Sequence, residues 1–97
     1  MKRVIVPAAL VELHDAAAFY AASESLELAL AFVAEFERGV DAVLANPMVG
    51  AVFRGTSRRH LLRRFPYSII YQVTANELRV VADAHQRRRP GYWAGRK

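Results

Sequence analysis

The chain has 97 residues, is 54% hydrophobic, contains no cysteine and carries a formal net charge of +5. That length supports a single core and so a single domain over residues 1–97, while the missing cysteines exclude a disulfide framework and any thiolate metal site. Residues 1–50 hold three basic and seven acidic side chains and residues 51–97 hold eleven and two, a segregation that points the basic half at a phosphate-rich or acidic partner.

Lys2 and Arg3 precede an apolar run from Val4 to Val11 that begins like a secretion signal, but Glu12, His14 and Asp15 end it too early. No segment approaches the roughly 18 apolar residues of a membrane span, so a cytoplasmic protein without a membrane partner is expected. His14, His60 and His85 lack ligand spacing, and neither a metal nor a cofactor is expected.

Arg3 to Val6 is a short β-branched run closed by Pro7 and reads as a first strand. From Ala8 the period becomes helical, with Leu10, Leu13, Ala17, Tyr20 and Ala21 on one face. Ser23 is a candidate cap for a second helix. Its apolar stripe is Leu26, Leu30, Val33, Phe36, Val40 and Val43, and Asn46-Pro47 ends it. The short break between the two predicts an antiparallel helical hairpin.

After Gly50 the period is two. His60 to Phe65 can form a strand, and Pro66 interrupts it. Tyr67, Ile69, Tyr71 and Val73 then share a face, and a turn over Thr74 to Glu77 leads into a last strand. There Leu78, Val80, Ala82 and Ala84 are expected to face the helices, with Arg79, Val81, Asp83 and His85 on an open face. The expected fold is α+β with two layers, β-α-α-β-β-β, the helical hairpin packed on an antiparallel-type sheet.

The segment Arg63-Arg64-Phe65-Pro66-Tyr67-Ser68-Ile69-Ile70-Tyr71 resembles the central hairpin of ParE/RelE-superfamily toxins from type II toxin–antitoxin systems. Leu78 to His85 resembles their last long strand, and Gln86-Arg87-Arg88-Arg89-Pro90-Gly91-Tyr92-Trp93 resembles the tail of plasmid-stabilisation proteins. The resemblance extends to the element order over nearly the whole chain.

It implies a toxin neutralised by a cognate antitoxin, with one of two targets. RelE-type relatives cut messenger RNA on the ribosome, and ParE-type relatives inhibit DNA gyrase without needing to be enzymes. Metal-free RNA cleavage needs a base, an acid and cations around one phosphate. Arg64, Arg79, His85, Arg87 and Tyr92 are the candidates for those roles. Two features favour the ParE branch: lysine occurs only at positions 2 and 97, and His85 and Arg88 close the last strand. In that reading Arg87, Arg88, Arg89, Tyr92 and Trp93 contact the target, although Tyr92 and Trp93 would equally serve to cover an open sheet edge. Leu28 and Phe32, four apart and partly off the helical stripe, are the candidate antitoxin contacts. A plain basic nucleic-acid-binding module is the remaining alternative, but no basic recognition helix supports it.

Overall fold

Pro7 both stops the first strand and starts the first helix, because it lacks a donor and its fixed φ suits the first helical position. In the computed structural model, which describes residues 1–97, the order is β1 (Lys2–Ile5), α1 (Pro7–Ser23), α2 (Leu26–Ala45), β2 (Ala51–Val52), β3 (Arg58–Leu61), β4 (Tyr67–Val73) and β5 (Glu77–His85). The cap of α2 is Ser25 rather than Ser23. Ser25 has extended backbone and its hydroxyl accepts the Leu28 N–H at 3.0 Å, whereas Ser23 is still helical.

The sheet order is β1-β5-β4-β3-β2. It is mixed rather than purely antiparallel, since β1 lies parallel to β5 while the other pairs are antiparallel. The helical hairpin supplies the long crossover that a parallel pair requires. The two-residue β2 adds a strand to the expected three of the C-terminal half. The loop before it is anchored by Tyr71, whose hydroxyl donates to Pro47 O at 2.8 Å and accepts the Gly50 N–H at 2.9 Å.

Both helices lie on one face of the sheet, with α1 across β5 and α2 against β4. Gly39 permits the closest approach of α2, because a Cβ there would stand 2.6 Å from Ile69 Cδ1. The buried line of α2 is Ala29, Phe32, Phe36, Val40 and Val43. Leu26 and Leu30, expected in the core, are 66% and 60% exposed. Phe32, expected at an antitoxin surface, is instead fully buried against Tyr20, Phe65 and Tyr67. Leu28 is half-buried and packs on the same core. In α1 the buried positions are Ala9, Leu13 and Ala16, and Leu10 points partly to solvent.

The sheet departs from simple alternation at one point. Ile70 pairs with Ala82 and Tyr71 pairs with Val80, so Val81 is an extra residue in β5 with no partner on β4. Such a bulge reverses which side chains face which way. Before it, Leu78 and Val80 share the helix side with Val73 and Tyr71. After it, Asp83 and His85 take that side opposite Ile69 and Tyr67, and Ala82 and Ala84 move to the far side with Ile70 and Ser68. Arg79, paired with Gln72, and His85, paired with Tyr67, therefore lie on opposite faces, which overturns the expectation of one shared face. Nor is the far face open. Ile70, Ala82, Ala84 and Ser68 are all buried, and Trp93 of the C-terminal tail lies over them, 5% exposed.

Candidate functional site

At the end of β5 the chain turns sharply. Arg87 N–H donates to His85 Nδ1 at 3.1 Å, Arg88 N–H to His85 O at 2.9 Å, and Gln86 N–H to Pro66 O at 2.8 Å. These bonds fix a turn from which Arg87, Arg88 and Arg89 project into solvent. The tail then folds back along the molecule and is tied to α1 through Glu12. Arg96 donates to both Glu12 oxygens, at 2.9 and 3.2 Å, and to Val81 O at 3.0 Å. The same carboxylate accepts the Asp83 N–H at 3.1 Å and has Arg88 at 3.5 Å. The Arg88 guanidinium lies 3.9 Å from the Tyr92 ring centre, and that of Arg96 lies 5.0 Å away.

His85 and Arg88 stand between two hollows. One, about 240 Å³, is lined by Glu12, Asp15, Phe19, Tyr67, Asp83 and Tyr92. The other, about 180 Å³, is on the far side of the sheet and is lined by Phe53, Arg59, Ser68, Ile70, Ala84 and Trp93. In the first, burial and the neighbouring Glu12 carboxylate push Asp83 from its ordinary 3.8 up to about 7. Burial, with Glu12 next to it, also raises Tyr92, whose hydroxyl is held close to that carboxylate without a well-formed hydrogen bond. His85 stacks edge-on to Tyr67, with ring centres 5.1 Å apart.

Residues 4–90 match the family described as the ParE toxin of the type II toxin–antitoxin system, parDE. The chain belongs to the ParE toxin family. A solved structure described as the chromosomal ParDE toxin–antitoxin system from P. aeruginosa superposes with a TM-score of 0.77 at 20% identity, covering 88% of this chain and 95% of that one. That likeness is one of fold. No curated protein matches the sequence at significant similarity.

Within this ParE-family chain the five residues proposed from sequence for RNA cleavage are brought together only in part: Arg87 adjoins His85, and Arg64 and Arg79 lie elsewhere. Arg79 is on the opposite sheet face from His85 and is held by Glu77 at 2.6 Å. Arg64 borders a separate hollow between α2 and β3, with Arg38, His60 and Arg63. Its loop is fixed by Glu35, which accepts the Arg63 and Arg64 N–H groups at 2.8 and 3.0 Å. His85 and Tyr92 do line one hollow, but the Tyr92 hydroxyl is buried against Glu12. Of the five proposed target contacts, Arg87, Arg88 and Arg89 are exposed and Tyr92 is half-buried. Trp93 is lost from that set because it fills the far sheet face, 5.8 Å from the Phe53 ring. Sequence reasoning gave Glu12 no part in the site and did not single out Arg96. The only signal for them is the charge segregation itself, which says that the halves attract but not which residues meet.

Proposed function

We propose that this chain arrests growth by inhibiting DNA gyrase, and that a cognate antitoxin neutralises it. The observation that carries this reading is the exposed arginine run that closes β5 in a chain of the ParE family. Cleavage of RNA without a metal requires acid, base and cation at one phosphate; Arg64 and Arg79 are apart from His85 and Tyr92, and Arg87 alone of the candidate cations adjoins His85. What the fold offers instead is an exposed arginine run on a turn fixed by hydrogen bonds. Arginine in that setting suits a binding surface, since its charge is permanent and its planar fork recognises anionic groups. For the antitoxin, the exposed Phe19, Leu26 and Leu30 on the helical hairpin, beside the half-buried Leu28, form the apolar surface that a partner segment would cover.

The test is growth after induction of the chain alone and with the small protein encoded by the adjacent reading frame. Growth arrest is expected from the chain alone, with rescue by the neighbour. Replacing Arg87, Arg88 and Arg89 together by Ala should abolish the arrest while leaving the fold and the antitoxin complex intact, and His85→Ala should stay toxic. A toxic triple variant together with a harmless His85→Ala variant would refute the reading.

A further inference from the structure

Asp83 is 2% exposed, and neither of its carboxylate oxygens has a hydrogen-bond partner. Buried polar groups in folded proteins are satisfied with few exceptions, and a buried carboxylate without donors is among the costliest. The neighbours do not meet the need. Arg96 is committed to Glu12 and to Val81 O. Arg88 stacks on Tyr92, and its one ionic contact is with Glu12 at 3.5 Å. Glu12, Asp15 and Asp83 thus line a hollow in which both arginines are committed to Glu12, so that no cation meets the Asp83 carboxyl group.

We infer that this hollow receives an arginine side chain from a partner protein. Its volume of about 240 Å³ and its opening between α1 and the tail admit a side chain. A guanidinium presents two parallel N–H groups, which match the two unpartnered oxygens of Asp83 in a fork-to-fork contact; both oxygens are covered in the free chain, so entry requires the rim of the hollow to open. Its planar faces suit walls made by Phe19, Tyr67 and Tyr92. A lysine would offer one compact ammonium and no planar face, and the site has no cluster of ligands spaced to hold a metal ion. Arg88 at the rim is 55% exposed and held to Glu12 only at 3.5 Å, so it moves aside at small cost. The antitoxin reading names the protein that would supply the arginine, and to that extent the inference rests on it. The subsite itself does not depend on toxicity.

The groups facing Asp83 are Glu12 and Tyr20 from α1, Tyr67 from β4 and, around the same hollow, Asp15, His85, Arg88 and Tyr92. The bound arginine favours the ionised carboxylate. Because Asp83 is pushed up to about 7, arginine affinity should rise about tenfold between about pH 6 and about pH 8.

The experiment follows the Asp83 carboxyl carbon by NMR in the full chain. N-acetyl-arginine amide is titrated in, with N-acetyl-citrulline amide as the neutral isostere. The arginine probe should move the resonance saturably and lower the midpoint of its titration, while the citrulline probe leaves both unchanged. Asp83→Asn should remove the accompanying shifts at Tyr67 and His85. Equal responses to the two probes, or no response to arginine, would overturn the inference. So would an Asp83 midpoint that is already low and rises in Arg88→Ala, because Arg88 would then be the counter-charge. Growth arrest is read separately: an arginine response in a harmless chain would sink the toxin reading and keep the subsite, and a toxic chain blind to arginine would do the reverse.

Discussion

Ile69 and Leu30 are aliphatic side chains of equal size in regular elements, yet one has no exposed surface and the other is 60% exposed. Ile69→Ala should cost about 2–5 kcal/mol, cavity included, and Leu30→Ala should stay within about 0.5 kcal/mol. Urea melts of the two variants check the pair. Asp83 makes a sharper case. Its folded pKa, raised to about 7 from 3.8, means that the folded chain holds this proton more tightly than the unfolded one. Its contribution is therefore fully present below about pH 4, declines as pH rises toward 7, and is gone above that. The span is about 4 kcal/mol at most, as an order of magnitude. Subtracting the profile of Asp83→Asn from that of the native chain isolates it, and the Asn variant should be the more stable near neutrality. A difference that is flat across this window would show that the carboxyl is not strained as described.

Among the elements, periodicity announced β1, β4, β5 and the helical hairpin, but it missed β2, set the strand of His60 to Phe65 too late against the observed Arg58–Leu61, and did not choose the helix faces. In α2 the line Leu26, Leu30, Val33 and the line Ala29, Phe32 both run into Phe36, Val40 and Val43 at helical spacing, so the pattern fits either. The sheet selects the second, because small Ala29 and Gly39 let α2 approach and Phe32 fills the space toward Tyr67. The bulge was hidden for a related reason. Val80, Val81 and Ala82 are all apolar, and no polar side chain marks where the alternation slips. That slip took Arg79 and His85 from one face to two, and with them much of the site that alternation had assembled. The tail is part of the sheet's cover rather than a free arm: Trp93→Ala should cost about 3–5 kcal/mol and expose Ile70 and Ala84. Faster hydrogen exchange at β4 and β5 would register it, and unchanged protection there would argue that the tail lies loosely on the sheet.

For the molecule as a whole, the acidic first half and the basic second half meet most closely at Glu12, which gathers Arg96, Arg88 and the Asp83 N–H. Part of the charge segregation is thereby used in folding, and Arg87 and Arg89, with the outer face of Arg88, are among the cations of the basic half left without an acidic partner, the group proposed above to meet the target. No helix is long and apolar enough to cross a membrane. Removing the Glu12 anchor should loosen that surface without removing its charge: Glu12→Gln should destabilise the fold by about 1.5–3 kcal/mol and weaken toxicity in proportion to the fraction unfolded at the working temperature. The central claim, that the toxin acts on gyrase, is tested most directly in cells sampled within minutes of induction, with DNA breaks and messenger RNA integrity measured side by side. DNA breaks with intact messages are predicted; widespread message cleavage without DNA damage would contradict the account.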